Sequence, residues 1–188
     1  MERSRRMDPL SVIVAYNLAN LNFRRRRYDR ALDYYRETLE LDPAFLGAYL
    51  PMSQVHVSRG TWDEGIAYLS DLDPRARQSL EVTAGLGLLH ARAGHAEEAR
   101  AILRELADRS GREYVAPMYT FYTVFALGER DEALRMLESG LREREVSPFF
   151  IRVSPMWDLL KEDPRFETLL RSFEAEEERK RASRGGTG

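Results

Sequence analysis

Four consecutive arginines, Arg24 to Arg27, stand where chemistry is first to be sought. Short basic clusters are the electrostatic footprint of nucleic-acid patches and targeting signals. Here Asp29 and Asp33 follow at once and dilute the field. Across the chain 29 Lys and Arg face 31 Asp and Glu, a formal net charge of -2, so no chain-wide cationic field draws the protein to nucleic acid or anionic lipid. At the end of a helix the macrodipole favours cations. The run is therefore read as a solvated helix C-terminus and turn, with Arg24 excepted because its slot faces inward, and no nucleic-acid partner is expected.

Three histidines come next. His56 and His90 stand 34 residues apart, and the same spacing places Asn22 and Val124 in their column. Those two are not both ligands, so hydrogen-bonded, partly buried imidazoles are expected and a metal site is not. His95 reads as a turn residue. Without cysteine there is no disulfide, thiol nucleophile or thiolate metal site. G-x-S-x-G, P-loop, G-x-G-x-x-G and H-E-x-x-H patterns are absent, and the acidic pairs are spaced as solvated helix faces. Neither enzymatic activity nor a cofactor is expected. The start, "MERSRRMDPLSV", has no apolar h-region, and no apolar run reaches the roughly 18 residues of a membrane helix. No membrane partner is expected, and a cytoplasmic location is.

The elements that position these residues follow a period. The tracts "RRRRYDRALDYY", "SRGTWDEGIAYL", "RAGHAEEARAIL" and "ALGERDEALRML" align with Arg26, Gly60, Gly94 and Gly128 in one column, each 34 residues after the last. A fixed period of this length marks a stacked helix-turn-helix array. Five residues on, Ala31, Gly65, Ala99 and Ala133 are always small, as a close helix crossing requires. One turn further, Tyr35, Leu69, Leu103 and Leu137 share the same face and are predicted core. In the preceding helices Leu18, Met52 and Leu86 share a slot, followed by the small Ala19, Ser53 and Gly87.

The stretch "YNLANLNFRRRRYDRALDYYRETLELDP", Tyr16 to Pro43, resembles the tetratricopeptide repeat family, and the resemblance extends over roughly residues 8 to 145. It implies an all-α fold: a right-handed α-α superhelix of about four helix pairs with C-terminal capping helices. Repeats are expected at about 12–45, 46–79, 80–113 and 114–147, within a solenoid of residues 1–175. A cap at about 154–175 and a disordered tail at 176–188 complete it. The segment "YVAPMYTFYTVFALGERDEALRMLESGLRERE" with "SPFFIRVSPMWDLLKEDPRFETLL" resembles the C-terminal end of tetratricopeptide regions in bacterial signalling chains. The opening "RRMDPLS" reads as the tail of an earlier repeat. That leaves an N-terminal face able to pair with itself.

Four positions depart from the family pattern. Arg26 replaces the usual glycine and is predicted to be left-handed, at a cost of about 1 kcal/mol. Thr120 and Phe121 replace an apolar and small pair. Pro51 falls in a first helix and is expected to remove a donor and kink it. Asp73 and Pro74 read as an N-cap and first-turn proline, so that one helix ends early and the next starts early, over 75 to 93.

In such an array the inner wall is built from the first helix of each pair. The slots facing it place Tyr16, Asn20 and Arg24 in the first repeat, Gln54 in the second, Leu88 and Arg92 in the third, and Met118, Tyr119 and Tyr122 in the fourth. These nine residues are the expected ligand- or peptide-binding set. The family's chaperone-tail clamp is not expected: only Asn20 fits it, while Pro51, Glu81 and Gly85 occupy its other slots. The resemblance implies a non-enzymatic protein-protein interaction module binding a peptide or partner segment. The alternative it leaves open is a detached sensor or regulatory domain of a bacterial signalling protein, holding a small ligand or its own effector domain.

Overall fold

The computed structural model describes residues 9 to 185. The segment read as the tail of an earlier repeat falls largely on residues 1 to 8, outside the described residues. The described residues are helical, with no strand among them. They fall into two compact units, Met1–Glu129 and Arg130–Gly188.

The first unit holds α1 (Pro9–Arg24), α2 (Tyr28–Leu41), α3 (Tyr49–Arg59), α4 (Trp62–Ser70), the short α5 (Pro74–Arg77), α6 (Leu80–Ala93), α7 (Ala96–Ser110) and α8 (Pro117–Ala126). A 3₁₀ turn, Leu46–Ala48, leads into α3. The periodic column closes each helix-to-helix turn in the same way. Gly60, Gly94 and Gly128 have φ of 80°, 84° and 83°, and Arg26 has φ 57°. After each of them the next backbone N–H donates six residues back: Arg27 to Asn22, Thr61 to His56, His95 to His90 and Glu129 to Val124, at 2.9 to 3.2 Å. This 6→1 bond satisfies a carbonyl that the helix end leaves open, and it requires the left-handed residue before it.

Small residues let the helices cross closely. Ala31, Ala99 and Gly65 are buried. A Cβ built on Gly65 would lie 3.0 Å from Leu89 and 3.1 Å from His56, and one on Gly87 would lie 2.7 Å from Thr123 and 2.9 Å from Ile102. α6 thereby packs against α3, α4, α7 and α8 together. Of the column predicted as core, Tyr35 and Leu69 are buried, whereas Leu103 is only half-buried and Leu106 on the same helix takes the interior place.

Two helix readings are corrected. Pro51 does not kink a helix: α3 starts at Tyr49, so the proline sits in the first turn, where its missing donor would have no intrahelical partner. Nor is the helix expected over 75 to 93 continuous. Asp73 caps α5 by accepting from the N–H groups of Arg75 and Ala76, with Pro74 at the first position, but Ser79 then starts α6 afresh by accepting from the Val82 N–H.

The second unit holds α9 (Arg130–Arg142), α10 (Pro148–Val153), two 3₁₀ turns (Pro155–Asp158 and Leu160–Glu162) and α11 (Pro164–Gly185). The helix pair expected at 114–147 is therefore divided between the units. Leu137, Ile151, Met156, Trp157, Leu160, Phe166 and Leu170 form the unit's core. Arg152 ties its helices together, pairing with Glu167 at 3.0 Å and Glu174 at 2.6 Å. Phe149 and Phe150 stay outside, 66% and 55% exposed and edge-to-face to each other. α11 continues to Gly185 where the sequence led us to expect order to end at 175. Its polar second half is rich in Glu, Arg, Ala and Lys, all strong helix formers.

Candidate functional site

All nine candidate residues belong to the first unit, and the structure sorts them into a polar aromatic face, a buried residue and two helix ends. The sorting begins in α8. Its N-terminal turn carries Met118 and Tyr119, followed one turn on by Tyr122, and all three are half-buried. The Tyr119 hydroxyl donates to Glu81 at the start of α6, 3.1 Å away. Burial, with the Glu81 carboxylate and the neighbouring Tyr114 and Tyr16 hydroxyls, pushes the Tyr119 pKa up to about 12. Tyr122 is hydrogen-bonded to the side chain of Gln54 in α3, and burial pushes its pKa up to about 12. Both phenols are neutral donors at physiological pH.

A second cluster lies on α1. Tyr16 meets the ring of Phe45 at 5.0 Å between centroids and that of Tyr35 at 6.0 Å. The Tyr35 hydroxyl donates to the Asn20 side-chain oxygen at 2.9 Å, while the Asn20 amide donates to the Tyr16 carbonyl at 3.0 Å. Asn20 is thus fixed in both position and amide orientation by its neighbours. Burial raises the Tyr35 pKa strongly, with Tyr16 adding to the rise and the Arg24 charge opposing it. Because the Tyr16 hydroxyl bears on Tyr119, the two clusters adjoin. Tyr16, Asn20, Gln54, Glu81, Met118, Tyr119 and Tyr122 together describe one face.

Leu88 does not belong to it. It is fully buried, because α6 is enclosed by four helices and has no wall to spare at that slot. Phe23, Val57 and Phe125 are also core rather than inner wall, at 4%, 5% and 4% exposure. Arg92 lies eleven residues beyond Glu81, about 16 Å along the same helix. Its guanidinium rests over the Trp62 ring at 5.9 Å from the centroid. Arg24 stands eight residues past Tyr16 at the C-terminal end of α1 and is exposed.

Phe45 was not among the expected residues, since it lies between helices where the period places no wall position. Its signal was an aromatic next to the "DPA" turn. Glu81 was legible only as a departure from the clamp pattern, and its role in holding Tyr119 was not.

The histidines are local fixtures. His56 is buried, with Nδ1 2.9 Å from the Thr61 hydroxyl, and burial lowers its pKa. His90 Nδ1 faces His95 Nδ1 at 3.3 Å, and burial, followed by the His95 charge, lowers the His90 pKa. Each partner is five residues on, across the repeat turn, so His56 and His90 serve their own turns rather than each other. Among the described residues no group of three or more His, Asp or Glu could hold a metal ion. No helix among them is long and apolar enough to cross a membrane.

The family model for the tetratricopeptide repeat matches residues 13–45, which span α1, α2 and the turn that Arg26 closes. This is a tetratricopeptide-repeat protein. No curated protein matches the sequence. A solved structure titled MamA AMB-1 is similar at 18% identity and a TM-score of 0.41, covering 89% of this chain and 90% of that one. The matched repeat of this tetratricopeptide-repeat protein contributes Tyr16, Asn20, Tyr35 and Phe45 to the polar aromatic face. Gln54, Glu81 and the α8 tyrosines come from the helices stacked after it.

Proposed function

We propose that the chain is a non-enzymatic protein-protein interaction module that holds a peptide or extended partner segment on the face formed by Tyr16, Asn20, Gln54, Met118, Tyr119 and Tyr122. The observation carrying this reading is that four tyrosine hydroxyls or their partners (Tyr16, Tyr35 with Asn20, Tyr119 with Glu81, Tyr122 with Gln54) adjoin on one face while their rings remain partly accessible. Tyrosine gives large contact area with little side-chain entropy to lose, and side chains already held by neighbours lose less still on binding. Glu81 gives the face a negative end. A partner presenting a lysine, arginine or amino group there is favoured, and one presenting a terminal carboxylate is disfavoured. Catalysis finds no counterpart, because the hydrogen-bonded tyrosines have raised rather than lowered pKa values and no nucleophile-base pair adjoins them.

The experiment is a selection of binding peptides from a random display library, followed by titration of the tightest against wild type and a Tyr119→Ala/Tyr122→Ala variant. The variant should retain its helical circular dichroism and bind at least 30-fold more weakly, about 2 kcal/mol. Undiminished affinity in a folded variant refutes the face. The Glu81→Gln variant should select peptides with fewer basic residues. A regulatory domain closing on a small ligand would instead yield no peptide that Tyr119→Ala/Tyr122→Ala disturbs.

A further inference from the structure

The turn between α1 and α2 carries an open basin of about 580 Å³ lined by Arg26, Arg27, Tyr28, Asp29, Arg30 and Arg59. Four of these six residues are guanidinium cations and one is a carboxylate, so the lining carries three net positive charges in a chain whose formal net charge is -2. Arg59 spends its charge largely on the protein itself, at 3.1 Å from Asp29 and 3.9 Å from Glu64. No second carboxylate lines the basin to answer Arg26, Arg27 and Arg30. The cluster is also assembled from two repeats: Arg59 ends α3, one period after the end of α1, and reaches across to Asp29 at the start of α2.

Arg26 adds an observation of a different kind. The same turn is made three more times in this chain by glycine, at φ of 80° to 84°, and only in the first repeat does a side chain stand there, at φ 57°. A left-handed backbone is unfavourable for an arginine and free for a glycine. Strained residues of this sort persist at ligand sites, where what the side chain does there compensates. Here the strained residue projects a guanidinium from a turn that borders the basin.

We propose that this basin binds an oligophosphate, through Arg26, Arg27 and Arg30. The guanidinium fork matches phosphate oxygens two at a time, and several guanidinia around one concavity suit a chain of phosphates better than a single carboxylate. The volume lies within the roughly 300–1,000 Å³ range of small-molecule sites. An inorganic phosphate chain and the triphosphate of a nucleotide present the same chemistry. This site is independent of the tyrosine face.

The test is isothermal titration of the full chain with inorganic tripolyphosphate and, separately, with ATP, both without divalent cations and at about 50 mM salt. Saturable binding of tripolyphosphate is expected, weakened at least tenfold by Arg26→Gly and by Arg30→Gln. Arg26→Gly preserves the turn because glycine makes it in the other three repeats, and its thermal melt confirms that the variant is folded. Equal affinities for the two ligands identify the phosphate chain as the whole determinant, and tighter ATP binding identifies a nucleotide source; either result supports the site. Absence of saturable tripolyphosphate binding at 1 mM ligand overturns the proposal, on the roughly millimolar scale of weak ligands. So does unchanged affinity in a folded Arg26→Gly protein, or binding of duplex DNA that tripolyphosphate fails to displace.

Discussion

Replacing Arg26 by glycine should make the protein more stable, although it removes a side chain and adds nothing. The residue holds φ 57°, where an L side chain crowds its own carbonyl, and relieving that is worth about 1–2 kcal/mol. Glycine gives back about 0.5–1 kcal/mol through the greater freedom of the unfolded chain. The difference leaves a net stabilisation of about 0.5–1 kcal/mol. Relief of repulsion from Arg27, Arg30 and Arg59 adds to it, most visibly at low salt, because surface charges are screened within about 10 Å at 0.1 M. At about 2–4 °C per kcal/mol for a chain of this size, the melting temperature should rise by about 1–4 °C. Differential scanning calorimetry at two salt concentrations measures both contributions. Arg144, at φ 61° in the second unit, provides the comparison: Arg144→Gly should gain a similar backbone term. A fall in melting temperature for Arg26→Gly would refute the reasoning, because it would mean that the arginine side chain contributes more to the folded state than its backbone strain costs.

The remaining expectations concern the interior. Thr123 buries its hydroxyl without a hydrogen-bond partner, so Thr123→Val should stabilise by about 1 kcal/mol in denaturant titration. Gly87→Val should destabilise by about 2–3 kcal/mol, since Thr123 and Ile102 already occupy the space a side chain needs. His56 has its pKa lowered by burial in the fold, so the unfolded chain binds its proton more readily. Stability should therefore be full above the unfolded value, about 6.5, and fall as pH drops below it. His56→Asn, the residue that Asn22 supplies in the first repeat, should flatten that slope in melts between pH 7 and pH 5.

The parts legible in the sequence were those that recur. One column predicted the left-handed turns, including Arg26, because four positions 34 residues apart must satisfy the same hydrogen bond. The small column at Ala31, Gly65 and Ala99 was legible for the same reason. What did not recur was read less well. Leu88 and Phe23 share helical faces with wall positions, and periodicity names a face without saying whether a neighbouring helix covers it. Ser79 reopens a helix that propensity alone would run straight through from Pro74, because a single side-chain acceptor was enough to start a new first turn. Asn20 was correctly placed beside Tyr16, but the bond from Tyr35 that fixes it depends on a rotamer and a helix crossing.

The enclosure of α6 by α3, α4, α7 and α8 bears on how the first unit comes apart. A strictly linear array can lose repeats one at a time from either end, each interface failing independently. A helix shared by four neighbours cannot be released without disturbing all of them, so the segment from Tyr49 to Ala126 should open as one cooperative block. The α1–α2 hairpin is tied chiefly to itself and joins the rest through α2 against α3 and Tyr16 against Phe45. Its amides should exchange with solvent through a separate, lower-energy opening. Since that hairpin carries both the arginine basin and half of the tyrosine face, any ligand that bridges it to the block would be seen first as slower hydrogen exchange in α1 and α2, with α6 unchanged.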